Sequence, residues 1–196
     1  MPHPVPDVQA APDHRKLPIQ QVGIRGIRHP VKVRTEAGVT QAGVATWSMY
    51  VNLAATQKGT HMSRFVELLG AEEVEIFAAG MRRLAADMVE RLGSEQGYIE
   101  LVFPYFIRKA APVSGAVSLL DYEVTMTATR CAGKSDVRLK VVVPVTSLCP
   151  CSKKISRYGA HNQRSHVTEE VPSAEGLGIE ELIRLIEQES SCELYA

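Results

Sequence analysis

Tyr122-Glu123-Val124-Thr125-Met126-Thr127-Ala128-Thr129-Arg130-Cys131-Ala132-Gly133-Lys134-Ser135-Asp136-Val137-Arg138-Leu139-Lys140-Val141-Val142-Val143-Pro144-Val145 decides the fold class. Tyr122, Val124, Met126 and Ala128 alternate with Glu123, Thr125, Thr127 and Thr129. After a turn at Cys131-Ala132-Gly133-Lys134, Val137, Leu139, Val141, Val143 and Val145 follow the same rule, with Arg138 and Lys140 between them. Period-two alternation on both sides of a Gly-containing turn predicts an antiparallel hairpin with one buried face.

Upstream, Ile99, Leu101, Phe103, Tyr105 and Ile107 share a parity, with Pro104 marking an edge or a bulge. Val22–Thr35 and Val39–Leu53 read as a second strand pair. Glu36-Ala37-Gly38 is the turn between them, an irregularity is expected at Gly26, and Trp47, Met49, Val51 and Leu53 occupy one face. Between the strand pairs the period changes. Val74, Phe77, Met81, Leu84, Met88 and Leu92 recur every three or four residues, which predicts a long helix ended by Gly93. A shorter helix precedes it, with Ser63 as N-cap and Phe65, Val66, Leu68 and Leu69 as its apolar residues. A last short helix is expected around Ile179, Leu182, Ile183 and Ile186. Strand pair, helix pair, strand pair is an α+β plan: an antiparallel sheet with helices on one face. Residues 1–18 are proline-rich and read as a flexible N-terminal arm, with one domain over 19–196.

Composition is that of an ordinary globular protein, with 45% hydrophobic and 22% charged residues. Lysine plus arginine balances aspartate plus glutamate at 22 each, so net charge makes no case for nucleic acid or membrane partners. No apolar run reaches the roughly 18 residues of a membrane span, and the N-terminus has no hydrophobic signal core. Four cysteines in 196 residues do not suggest a disulfide framework. A cytoplasmic protein with reduced thiols is expected.

Those thiols concentrate the chemistry. The hairpin runs directly into Ser147-Leu148-Cys149-Pro150-Cys151-Ser152-Lys153-Lys154, followed by Tyr158-Gly159-Ala160-His161-Asn162-Gln163-Arg164-Ser165. Thiolates and an imidazole in one segment suit a borderline-soft metal such as zinc. If extended, Cys149 and Cys151 point to the same side; with a bend, either can bind alone. A buried structural thiol and a solvated loop histidine are the plain alternatives.

A second constellation, Lys58-Gly59-Thr60-His61-Met62-Ser63-Arg64, precedes the first helix, where free N–H groups favour phosphate. Its plain alternative is a basic loop with a serine cap. Charge distribution argues for more. No Asp or Glu occurs from Ala37 to Val66 or from Val137 to Thr168, where chance would place about three in each. Two acid-free segments sharing one site would make a positive cleft for a polyanion, although strands are acid-poor in any case.

These two motifs resemble the hallmarks of the type IB GTP cyclohydrolases, and the resemblance runs from about Ile19 to the end. It implies the tunnelling fold, a ββααββ subunit whose sheets join into oligomeric barrels (dimer or tetramer) with active sites between subunits. It implies conversion of GTP and water to formate and 7,8-dihydroneopterin triphosphate, the first step toward folate. It also implies a divalent metal, with tolerance among zinc, manganese and iron. On this resemblance Cys149 is the essential cysteine and metal ligand, and His161 a ligand or proton-transfer group. Lys58, His61, Ser63 and Arg64 hold the triphosphate with Lys153 and Arg164, and with Lys154 or Arg157 as further candidates. Family members continue past Ala196 with acidic and histidine residues that complete the metal and purine sites, so weak or absent activity is expected of this exact chain.

Two other classes are kept in view. One is a nitrile reductase of 7-deazaguanine built on the same fold, with Cys149 as nucleophile; it needs NADPH, for which the sequence shows no signature. The other is an inactive metal-binding or oligomerisation module.

Overall fold

A computed structural model describes residues 14–70, 75–158, 161–173 and 177–195. Most of the expected N-terminal arm, Val74, Gly159 and Ala160 lie outside the described residues. The strands are β1 (Ile19–Arg34), β2 (Thr40–Leu53), β3 (Glu75–Ile76), β4 (Gln96–Ala110), β5 (Val117–Cys131), β6 (Lys134–Leu148), β7 (Asn162–Pro172) and β8 (Cys192–Glu193). The helices are α1 (Met62–Gly70), α2 (Ala78–Leu92), α3 (Pro150–Ile155) and α4 (Ile179–Glu189). The sheet runs β3-β1-β2-β4-β5-β6-β7, with β8 beside β6. Every pairing is antiparallel except that of β3 with β1.

The β5–β6 hairpin forms in the expected register, Cys131 opposite Lys134. Both loop residues have positive φ, 48° at Ala132 and 78° at Gly133. That is the type I′ geometry whose twist matches the flanking strands. Tyr122, Val124, Met126 and Ala128 are buried, as are Val137, Leu139, Val141, Val143 and Val145. They join Trp47, Met49 and Val51 of β2 and Ile99, Leu101 and Phe103 of β4 in one core. α1, α2 and α4 cover that face with Phe65, Leu69, Met81, Met88 and Ile183. One face of each strand plus three amphipathic helices accounts for the α+β plan. Thr125 is one exception to the alternation, as are Ser48 and Pro144. Thr125 is buried on the other face between its neighbours Val102 and Lys140, because a central strand is shielded by longer side chains on both sides.

Several sequence expectations shift. α2 begins at Ala78 rather than near Val74, because Phe77 is extended (φ −158°, ψ 163°) and caps the helix. Ile76 enters the core from β3 instead. Gly93 ends α2 in the left-handed region, its N–H bonding Glu90 O at 3.1 Å while Ser94 N–H bonds Val89 O at 3.0 Å. α1 begins at Met62, so Ser63 lies inside the first turn and is not the N-cap. Pro104 makes no bulge: the β4–β5 register is unbroken through Pro104 and Glu123. It is a local edge, since β2 pairing ends at Val102. Beyond it, the Gln41 carboxamide substitutes for a strand, accepting from Phe106 N–H at 3.1 Å and donating to Phe106 O at 3.0 Å. Of the two breaks in the β1–β2 register, one lies between Ile19 and Val22 and the other falls at Gly26 (φ +73°). β7 and β8 have no counterpart in the sequence reading.

Candidate functional site

The thiol segment forms a short helix on the end of β6, where an open loop was expected. Cys149 is its N-cap (φ −68°, ψ 116°) and Pro150 its first residue, where the missing N–H costs nothing. Lys153 N–H bonds Cys149 O at 3.2 Å. Because the chain turns helical between Cys149 and Cys151, the extended-chain argument for both thiols on one side does not apply. Cys151 is exposed and Cys149 half-buried.

The backbone N–H of Ser152 holds the Cys149 thiol below the ordinary cysteine range; partial burial opposes this and the N–H of Cys151 adds to it. The sulfur makes no cap hydrogen bond of ordinary length, so this is the pull of N–H dipoles aimed at it rather than a full bond.

His161 comes to the same place by strand pairing. β7 runs antiparallel to β6 with Leu148 opposite Asn162. Cys149 and His161 each stand one residue beyond this last pair, at the same end of the ladder. Ser152, buried beneath them, fastens the junction. Its hydroxyl donates to Cys149 O at 3.0 Å and stands 3.5 Å from His161 O. Lys153 and Lys154 are exposed in the last turn of α3, and Arg164 is exposed on β7 opposite Thr146. Thiol, imidazole and cations therefore gather at one end of the sheet. Sequence reasoning missed Ser152 because serine after cysteine carries no pattern; only the strand register shows that it joins two segments.

The other constellation lies elsewhere. β2 ends at Leu53, beside the start of β4 and the β5–β6 turn. Cys149 follows the opposite end of β6, a strand of 15 residues, about 45 Å long at ~3.3 Å per residue. Lys58, His61, Ser63 and Arg64 are thus at the far end of the sheet from Cys149. Among the described residues, the two acid-free segments leave opposite ends of the sheet. Arg64 has a structural task, its Nη1 donating at 3.0 Å to Arg91 O in the last turn of α2, where a cation complements the helix terminus. Thr60 is buried and Lys58 exposed.

The donor set fits one side of a metal site. A thiol with a depressed pKa and an imidazole are ligands for zinc or iron, but four donors are usual, and among the described residues no group of three or more His, Cys, Asp or Glu stands together. No helix among them is long and apolar enough to cross a membrane.

Known proteins align with this chain over nearly its whole length. The sequence profile described as Type I GTP cyclohydrolase folE2 matches residues 5–196. GTP cyclohydrolase FolE2 of Paraburkholderia xenovorans is 56% identical over 191 residues, spanning 97% of this chain and 71% of that protein. GTP cyclohydrolase FolE2 of Burkholderia thailandensis has the same identity and the same coverage, and the Burkholderia mallei protein is 56% identical with 72% of its length covered. Agreement over that span places the chain in the type I GTP cyclohydrolase folE2 family.

Proposed function

We propose that the chain acts as a GTP cyclohydrolase I, hydrolysing GTP to formate and 7,8-dihydroneopterin triphosphate for folate synthesis, with Cys149 and His161 as its metal-binding pair. The convergence of these two residues at one end of the β6–β7 ladder, with the Ser152 hydroxyl reaching both their backbone carbonyls, carries the proposal. Cys149 serves as a thiolate ligand, helped by the N–H groups that favour its charged form. His161 serves as second ligand or as the group that moves protons during ring opening and formate release, work suited to imidazole near neutral pH. Cys149 and His161 would hold a divalent ion, which would lower the pKa of water toward about 7 and so make a nucleophile available near neutral pH. Donor softness favours zinc or iron, and added oxygen ligands would admit manganese. Further donors are needed to complete the usual four.

The triphosphate is held by Lys58, His61 and Ser63. Since this motif follows the end of β2 and Cys149 follows the opposite end of β6, a strand about 45 Å long, one copy supplies the thiol end and another the phosphate end of each site. A homo-oligomer follows from that requirement. Lys153 and Arg164 stand at the thiol end and add positive field there. The four unpaired thiols suit the cytoplasm. A depressed thiol would equally suit a nucleophile, but family membership favours the ligand.

The test is incubation with GTP and Mn²⁺, Zn²⁺ or Fe²⁺, then oxidation and a reading of pterin fluorescence. Signal above the metal-free control is expected. Its absence with all three ions from a chain extended with the family's C-terminal acidic and histidine residues would sink the proposal.

A further inference from the structure

The last third of β6 is held differently from the rest. β5 pairs with β6 only as far as Val142, opposite Glu123. From Val143 to Leu148 that edge has no β5 partner, while β7 continues along the other edge to Leu148. β8 takes the vacated edge, with Glu193 opposite Val145 and Cys192 opposite Thr146. Ser191 Oγ accepts from Leu148 N–H at 3.4 Å, one residue before Cys149.

A two-residue strand does not hold itself in place. What holds β8 is a buried ammonium. Lys109, near the end of β4, is 8% exposed. Its Nζ donates to Glu193 Oε2 and to Glu187 Oε1, both at 2.6 Å. Tyr122 OH donates to the same Glu187 oxygen at 2.6 Å, and Tyr195 OH to Glu193 Oε1 at 2.6 Å. Lys109 Nζ also stands 5.7 Å from the Tyr195 ring centre. A lysine so placed is one that folding desolvates only with partners. Glu187 of α4 compensates the buried charge. Glu193 is the second carboxylate and ties the charge to β8.

We propose that Lys109 is a positioning residue for Cys149. By gripping Glu193 it holds β8 on the open edge of β6 and so fixes the strand end from which Cys149 and α3 project. The proposal rests on reading Cys149 as the functional thiol, but its test does not require turnover.

Hydrogen–deuterium exchange is followed in the full chain for the amides of Val145 to Ser152, in Glu193→Ala and Lys109→Met. Glu193→Ala leaves Lys109 paired with Glu187 and is expected to fold even if Lys109→Met does not. Exchange in this segment is expected to rise about tenfold, with Thr125–Arg130 of β5 unchanged, because local opening is independent of global unfolding. Lys109→Arg, which keeps the charge, is expected to return the segment to within about twofold of the parent. Unchanged exchange at Leu148–Ser152 in Glu193→Ala would overturn the proposal, as would an equal rise in β5, which signals general destabilisation. Retained turnover in Cys149→Ala would instead strike the catalytic reading and leave this measurement standing.

Discussion

At Cys149 the backbone does most of the chemical preparation. The N–H of Ser152 points toward the sulfur from the first turn of α3 and lowers its pKa. In metal-free protein with Cys131, Cys151 and Cys192 replaced by serine, alkylation of Cys149 against pH is expected to reach half its plateau below the ordinary thiol value of about 8.5. A midpoint at or above that value would show that the helix end does not tune the thiol. The exposed neighbour is predicted to matter far less. Cys149→Ala is expected to abolish metal retention and cost more than the roughly 10–100-fold in turnover that follows loss of a metal's outer-shell partner, whereas Cys151→Ala retains most of both. Equal losses in the two variants would mean that the ligand has been assigned to the wrong sulfur. Residue chemistry made Cys149 and His161 legible in the sequence. It left the choice between the two thiols open, because that depends on where α3 starts. It gave no sign of Ser152 or Lys109, whose importance comes only from what lies across from them in the fold.

At the scale of elements, legibility follows periodicity. β5 and β6 alternate cleanly because one face is core and the other is not, and the α2 stripe works for the same reason. β7 could not be read this way. Asn162–Pro172 is largely exposed on both faces, so burial imposes no alternation on it, and its charged residues suit a sheet edge. β8 is too short for any period. The start of α2 was misplaced because Phe77 continues the helical spacing by coincidence, while its backbone is extended. The hairpin turn is also where local sequence and local conformation disagree. Gly133 suits its positive φ, but Ala132 sits at +48°, where a Cβ is strained. Ala132→Asn is therefore predicted to stabilise the protein by about 0.5–1 kcal/mol, since Asn-Gly is the favoured pair for this turn. Thermal unfolding followed by fluorescence of Trp47, the single and fully buried tryptophan, measures it. A lower melting temperature would refute the strain argument.

At the scale of the whole molecule, charge and distance set two constraints. The Lys109 clamp makes the fold sensitive to acid. Lys109 first, and then Tyr195, hold the Glu193 carboxyl below its usual range. A depressed folded-state pKa adds stability above the unfolded value of about 4.3, and that stability is lost as pH falls through the lower folded value. Glu193→Gln, which no longer titrates, should therefore lose less stability than the parent between pH 5 and pH 3, as read by Trp47 fluorescence; an identical loss would remove Glu193 from the acid response. Distance is the stronger constraint. On the proposed assignment the thiol end and the phosphate end of one chain are too far apart to meet on one nucleotide, so the proposed site needs two copies, and damage to different ends should complement. Neither Cys149→Ala nor Lys58→Ala homo-oligomers contain an intact site. After dissociation and reassembly of an equal mixture, a site is intact when its thiol end comes from the Lys58 variant and its phosphate end from the Cys149 variant. Random association gives about one such site in four. Roughly a quarter of parental turnover is expected from the mixture and almost none from either variant alone. No recovery, in mixtures shown by mass to contain hybrids, would mean that each site is completed within one chain, and the Lys58 motif would then lose its place in the reaction.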